Sequence, residues 1–215
     1  MAMNGIVSTS MREKGMGYRV NFGLTLPLIR NIAESYAPNA KLARYLWKEQ
    51  VRESKMLATW LYPLNEMTPE IAQEWVEEIP YPEIADVCCM NLFAKLPFAS
   101  QKAAEWITSD KDIIRYTGYQ LFNRLMMYDT YPDNETEKNL INSVVKSPDN
   151  SPIIQMAGLN CIKRLIHGNP GTAERIAKNF SDILKTGTAI QKKLSEEILQ
   201  EYEFYRDELS RKQGK

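Results

Sequence analysis

Asp86 is the side chain best placed for chemistry that needs a fixed carboxylate. It lies in the segment IADVCCMNLFAKL (residues 84–96), where the other polar side chains are Asn91 and Lys95. A helix that is apolar nearly all round is buried between neighbours. A carboxylate on such a helix either complements the macrodipole of a helix opened by Pro82 or serves as a functional acid. The sequence leaves both interpretations open.

Cationic and amide side chains recur at matching positions in segments that close with a leucine. Four such segments align: MLATWL (56–61), NLFAKL (91–96), QLFNRL (120–125) and NCIKRL (160–165). The position before the closing leucine holds Lys95, Arg124 and Arg164, the last preceded by Lys163. Such a row could face phosphates, or its cations could be solvated helix ends that the macrodipole favours.

Two further positions repeat in the same alignment. Five residues before the closing leucine stand Gln120 and Asn160, and ten residues before it stand Asp86 and Arg115. Stacked repeats place equivalent positions in rows along one surface. We therefore expect Asp86 and Arg115 to be lateral neighbours.

The elements that must position these residues are helical pairs. Apolar residues follow a helical period over residues 42–61, and charged residues in the middle indicate a helical hairpin with a turn near residues 49–53. The closing leucines are 35, 29 and 40 residues apart, which suits two-helix repeats. The sequence thus predicts an all-α fold, a HEAT/armadillo-like α-α superhelix in which antiparallel helical pairs form a solenoid. An irregular helical bundle would satisfy the same periodicity.

Composition limits the classes of function. The 215 residues carry 27 basic and 27 acidic side chains, and a small positive excess lies within residues 91–178. A zero net charge removes the simplest argument for a nucleic-acid-binding surface without excluding a basic face. Three cysteines without CxxC spacing predict neither a disulfide framework nor a zinc site. The absence of long apolar runs predicts a cytoplasmic protein.

The expected organisation is a disordered N-terminal tail over residues 1–10 and a single HEAT-like repeat domain over residues 11–215. The glycine-rich GMGYRVNFG (15–23) lacks the lysine of a phosphate-binding loop and follows no strand, so it reads as a connector. Trp47 and Trp75 are expected in the core. His167, without a second histidine nearby, is expected at a helix end.

Several segments, in order, resemble the DNA alkylation repair family of HEAT-like repeat proteins, whose best-known members are alkylpurine DNA glycosylases. The resemblance covers about residues 11–185. The segments that carry it are GLTLPLIRNIA (23–33), LARYLWKEQVRESKMLA (42–58), the helix around Asp86, WITSDKDIIRYTGYQLF (106–122) and the Asn-Pro pair at 169–170.

The resemblance implies roles for individual residues. Asp86 matches the family's catalytic aspartate, and Arg115, or its neighbour Tyr116, matches an arginine of the family's W-x-x-S-D…R segment. Two lesion-facing tryptophans of the family fall on Pro82, with Tyr81 as a substitute ring, and on Asn160. These two positions depart from the family pattern. Cleavage of an N-glycosidic bond develops positive charge on the sugar, which a fixed carboxylate can stabilise.

The resulting expectation is a DNA-binding repair protein of the alkylation type, in which Asp86 would hydrolyse the N-glycosidic bond of alkylated purines. We expect a monomer that binds double-stranded DNA, no membrane, and neither a cofactor nor a metal. The alternative is a non-catalytic HEAT-repeat protein that binds DNA structures or serves as a protein–protein scaffold. The expected DNA-binding residues are Tyr81, Lys95, Arg115, Tyr116, Arg124, Asn160, Lys163 and Arg164.

Overall fold

The computed structural model describes residues 5–13, 15–146 and 151–213, and these fold into α-helices, two short 3-10 helices and no β-strand. A parallel bridge joins Val20 and Val51. The chain divides into two compact units, residues 1–98 and 99–215, which are described separately. No helix among the described residues is long and apolar enough to cross a membrane.

Unit 1 contains six α-helices within the described residues. It also contains two 3-10 turns, Leu64–Glu66 between the fourth and fifth helices and Phe93–Lys95 after the sixth. The helices are α1 (Gly5–Glu13), α2 (Leu26–Glu34), α3 (Ala40–Lys48), α4 (Arg52–Leu61), α5 (Pro69–Glu77) and α6 (Pro82–Asn91). Prolines stand in the first turns of α2, α5 and α6, where a missing N–H costs nothing. The predicted hairpin over residues 42–61 is confirmed as α3 and α4.

The N-terminal segment differs from the expected disorder. Helix α1 occupies residues 5–13, and the Ser8 hydroxyl is buried and donates to the Asn21 carbonyl at 2.9 Å. The sequence lacks a clear apolar period here, so the apolar spacing gave no sign of this helix or of its contact with Asn21. Residues 1–4 of the expected tail lie outside the described residues.

Aromatic packing fixes the centre of unit 1. The rings of Trp47 and Trp75 stack with centroids 4.2 Å apart and planes at 8°, and Tyr62 meets Trp75 edge-on at 5.2 Å. Trp47 and Trp75 are only 2% and 3% exposed, which confirms that they belong to the core. Aromatic pairs of this kind add stabilisation beyond the area they bury.

A buried ionic cluster ties the connector before α2 to α4 and α6. Arg52, 5% exposed, donates to Glu83 at 3.0 and 3.1 Å, to Glu53 at 3.0 Å and to the Leu24 carbonyl at 3.0 Å. Glu53 in turn accepts the backbone N–H groups of Phe22 and Leu24. The cluster holds the first turn of α6, and with it the helix that carries Asp86.

Unit 2 contains six α-helices within the described residues. They are α7 (Ala99–Trp106), α8 (Asp112–Met126), α9 (Asn134–Lys146), α10 (Pro152–Gly168), α11 (Pro170–Thr186) and α12 (Ala189–Gln213). Asn169 caps α11, its side chain accepting the Thr172 N–H at 2.8 Å.

Helices α8 and α10 pack against each other. The Cys161 thiol donates to the Tyr119 carbonyl at 3.1 Å, and Asn123 donates to the Ala157 carbonyl at 3.1 Å. Gly158 allows close packing here, since a Cβ there would lie 2.8 Å from the Val144 side chain of α9 and 3.3 Å from the Tyr119 ring of α8.

The helix that begins at Pro82 is shorter in the structure than the segment 84–96 predicts. Helix α6 ends at Asn91, because Leu92 adopts φ −127° and ψ −68°, and a separate 3-10 turn follows. Asn91 is buried, and its amide donates to the Thr59 hydroxyl at 3.0 Å. It is therefore a core residue that joins α6 to α4.

Candidate nucleic-acid interface

Asp86 sits in the second turn of α6 and is half-buried. Its neighbours Ala85 and Val87 are buried in the core of unit 1, so the backbone that carries the carboxylate is firmly held. Burial, opposed by Lys55 and reinforced by the charge of Asp86, raises the pKa of the Cys88 thiol. The predicted proximity of Asp86 to Arg115 stays a prediction, since the two residues belong to different units.

Tyr81, the suggested substitute for a family tryptophan, is held by the N-terminal connector. Its hydroxyl accepts the Gly17 N–H at 2.7 Å, and its ring meets Tyr18 edge-on at 4.7 Å. The Tyr18 hydroxyl donates to Glu83 at 2.9 Å. Burial, with Glu83 nearby, raises the pKa of Tyr18 far above its usual value. The Tyr81 ring is thus half-buried and already packed against a neighbour.

Arg115 and Tyr116 differ from their expected surface positions. Arg115 is 8% exposed and donates to the Ser109 carbonyl at 2.8 Å and to Asp112 one turn away. Tyr116 is 3% exposed, and its hydroxyl accepts from Gln120 at 2.9 Å. A ring inside the core offers little surface to a ligand, and the expected contact of Tyr116 with DNA stays a prediction.

Arg115 also lines a polar cavity of about 380 Å³ at the junction of α7, α8 and α9. Asn139, Asn142 and Lys146 of α9 border the same cavity, as does Asp110. The cavity offers amides and cations, but the nearby carboxylates of Asp110 and Asp112 offset its positive charge.

The repeat alignment is most informative on α8 and α10. Asn123 donates to both the Gln120 side chain at 3.2 Å and the Ala157 carbonyl, which places Gln120 beside the turn of α10 that carries Asn160. Asn160 and Arg164 are exposed, whereas Gln120 and Arg124 are half-buried. We call the four side chains Gln120, Arg124, Asn160 and Arg164 together the α8/α10 face.

Lys163 does not belong to this open surface. Its ammonium pairs with Glu197 at 2.9 Å and Glu201 at 3.5 Å, both on α12. His167 meets the same Glu201 at 2.9 Å and packs edge-on against Tyr205 at 5.1 Å. Burial opposes the charge of Lys163, but the two carboxylates raise its pKa overall. Pairing with α12 opposes contact between Lys163 and a phosphate, and its expected role in DNA binding stays a prediction.

The remaining expected contacts are consistent with a surface location. Lys95 is exposed on the 3-10 turn that follows α6.

His167 occupies the last turn of α10, as expected of a helix-end residue. Cys88, Cys89 and Cys161 are buried and form no disulfide. Within the described ranges, no cluster of histidine, cysteine, aspartate and glutamate could hold a metal ion.

Sequence reasoning missed the acidic surface of α12 that faces α10. The signal was present, because Glu197, Glu201 and Tyr205 recur every four residues and so share one side of a helix. Only the packing of α12 onto α10 shows which cations this side meets.

Comparison with solved structures identifies the fold. The chain superposes on a chain of a solved structure that is described as "A new family of proteins related to the HEAT-like repeat DNA glycosylases with affinity for branched DNA structures". The TM-score is 0.72 at 16% identity, covering 85% of this chain and 78% of the other. The architecture is therefore of the all-α, HEAT-like repeat class, which confirms the fold that the sequence predicts.

The family follows from a match over most of the chain. Residues 8–158 match the family model described as DNA alkylation repair enzyme, so the chain belongs to that family. This confirms the resemblance that the ordered segments indicate. No curated protein shows significant sequence similarity to the chain.

Proposed function

We propose that this protein binds DNA and that the α8/α10 face contacts the DNA backbone. The observation that supports the proposal is that α8 and α10 are joined by hydrogen bonds and carry Arg124 and Arg164, with the amides of Gln120 and Asn160, at matching positions of the repeat alignment. Guanidinium groups match phosphate geometry with paired donors. Amide side chains are further common donors to phosphate and sugar oxygens.

Family membership favours nucleic acid over a protein partner for this surface. The structural relative belongs to a family described as having affinity for branched DNA structures, and we extend that preference to this chain. The zero net charge supports a recognition that depends on DNA shape, because the chain lacks the large positive excess that drives unspecific duplex binding.

Fluorescence anisotropy with a labelled four-way junction and a duplex of matched sequence tests the proposal. We expect tighter binding to the junction and affinity that falls steeply with salt. Replacing Arg124 and Arg164 together with glutamine should reduce the magnitude of the slope of log K against log salt by about 1.8, since each lost phosphate contact removes about 0.9. Lys185→Gln, an exposed cation on α11, is the matched control and should leave the slope unchanged.

Two results would overturn the proposal. Absence of salt-dependent binding to either DNA would favour the protein-scaffold alternative. An R124Q/R164Q variant that binds as well as the parent protein would place the interface elsewhere.

Hydrolysis of the N-glycosidic bond of alkylated purines is the second candidate function. Asp86 supports it, because its carboxylate is half-buried on a well-held helix of a DNA alkylation repair family member. An alkylated purine is already cationic, so it needs no general acid to leave, and a carboxylate would stabilise the developing charge on the sugar. Asn160 and Pro82 at the tryptophan positions weaken the positioning of the sugar.

Release of 7-methylguanine from alkylated DNA tests the catalytic proposal. We expect Asp86→Asn to abolish release while DNA binding is retained. Glu74→Gln, an exposed carboxylate on α5, is the control. Binding by the parent protein without any base release would refute catalysis and leave a non-catalytic DNA-structure binder.

A further inference from the structure

Unit 1 contains a second polar site, distant in sequence from α8 and α10, whose lining is rich in cations. Three segments line a cavity of about 420 Å³. They are the connector at Gly17, Tyr18 and Arg19, the α3–α4 hairpin with Lys48 at the end of α3, Gln50 in the turn and Lys55 on α4, and the segment between α5 and α6 at Glu78, Pro80 and Tyr81. Three of these side chains are cations and one is a carboxylate. A cavity of this size accommodates a small ligand.

Lys55 distinguishes this cavity from a cluster of surface charges, because its side chain is buried. It is 8% exposed, and its ammonium donates to the Trp47 carbonyl at 2.5 Å and lies 4.6 Å from the Trp47 ring centroid. Burial lowers the pKa of Lys55, although Glu78 partly offsets this effect. An anion in the cavity would stabilise the charged amine and lessen this desolvation penalty.

Two aromatic residues border the same cavity. Tyr18 and Tyr81 pack edge-on, and the Tyr81 hydroxyl is anchored by the Gly17 N–H. The Tyr18 hydroxyl donates to Glu83, within the buried cluster around Arg52, so this wall is firmly positioned. Cations beside an anchored aromatic wall suit a ligand that combines a phosphate with an aromatic base.

We propose that this cavity binds the phosphate group of a nucleotide, with Arg19 and Lys48 as the exposed cations and Lys55 as the buried one. Arg19 supplies paired donors to two phosphate oxygens, and the lysines supply point charges. The same chemistry occurs in a free nucleotide and in a phosphorylated 5′ end of DNA. The site uses none of the residues of the α8/α10 face.

Isothermal titration of the full chain with AMP, adenosine and inorganic phosphate tests the proposal. We expect AMP to bind, and adenosine to bind at least about tenfold more weakly, because it lacks the group that would accept charge-assisted hydrogen bonds. Arg19→Gln combined with Lys48→Gln should weaken AMP binding by at least about tenfold. Both side chains are exposed, so the variant should keep its fold, whereas a Lys55 variant would also lose its contact with α3.

Lys41→Gln, an exposed cation on α3 outside the cavity, is the matched control and should bind AMP unchanged. The R124Q/R164Q variant should also bind AMP unchanged, so failure of the DNA-binding proposal and failure of this one can be told apart. The proposal is overturned if AMP does not bind, if adenosine binds as tightly as AMP, or if R19Q/K48Q behaves like the parent protein.

Competition identifies the source of the phosphate once AMP binding is established. Displacement of AMP by a 5′-phosphorylated oligonucleotide, but not by its 5′-hydroxyl counterpart, would assign the site to DNA ends. Displacement by neither oligonucleotide would assign it to free nucleotides. Either result supports a phosphate-binding cavity in unit 1.

Discussion

Removal of the Arg52 guanidinium should destabilise unit 1 strongly, because it leaves a carboxylate buried without its cation. The Glu53 side chain is 4% exposed and the Arg52 side chain 6% exposed, so water cannot replace the lost partner. Breaking a buried pair of this kind by removing one member costs about 3–5 kcal/mol. Glu83 is 23% exposed and can be rehydrated, and Glu53 keeps two backbone donors. We therefore expect the lower end, about 3 kcal/mol, for Arg52→Met.

Urea unfolding followed by tryptophan fluorescence measures this loss, because the stacked rings of Trp47 and Trp75 report on unit 1. For a chain of this length, a loss of about 3 kcal/mol corresponds to a fall in Tm of roughly 6–12 °C. The matched control is Arg30→Met on α2. Its ion pair with Glu34 has side chains 65% and 56% exposed, and an exposed i,i+4 pair contributes only about 0.3–0.5 kcal/mol.

A double variant separates lost charge from lost packing. Adding Glu53→Gln to Arg52→Met removes the uncompensated buried charge, so the double variant should be more stable than Arg52→Met alone. If Arg52→Met costs no more than Arg30→Met, or if Glu53→Gln worsens it by its full separate cost, the assignment of the cluster as a buried charge network is wrong.

Three further outcomes are expected. Gly118→Ala should destabilise by about 1–3 kcal/mol in thermal unfolding, because its Cβ would lie 2.7 Å from a backbone nitrogen at the end of α7, whereas Gly171→Ala, whose Cβ would meet nothing nearer than 3.5 Å, should not. Replacing Glu197 and Glu201 together with glutamine should strengthen DNA binding about two- to fivefold and steepen its salt dependence by up to about 0.9, since Lys163 then loses both carboxylate partners and can meet a phosphate; unchanged anisotropy curves would contradict this. Burial raises the pKa of Cys161, so this thiol should react with a disulfide reagent such as DTNB only in urea, and rapid labelling of the native chain would refute its buried position.

The helices and the residues at which several of them begin were largely predictable from the sequence. Prolines in the first turns of α2, α5 and α6, with threonines before α2 and α5, mark helix starts. The hairpin of α3 and α4 follows from apolar spacing within twenty residues. These signals are local, so they survive without knowledge of the partners. The early end of α6 was not predictable, because the conformation of Leu92 and the bond between Asn91 and Thr59 depend on α4.

The candidate site was predictable in part. The repeat alignment placed Gln120, Arg124, Asn160 and Arg164 at matching positions, and the helices that carry them, α8 and α10, pack against each other. It could not distinguish these residues from Tyr116, which points into the core one turn earlier.

The sequence by itself determined the helical period, the repeat register and the residue types available for binding, because each depends on neighbours within one or two turns. Only the tertiary structure decided which charges remain open to a partner. Lys163 forms ion pairs with carboxylates 34 and 38 residues further along the chain. Arg19, Lys48 and Lys55 line one cavity although they come from separate segments. Electrostatic interaction depends on distance in space and on burial, and neither follows from separation along the chain.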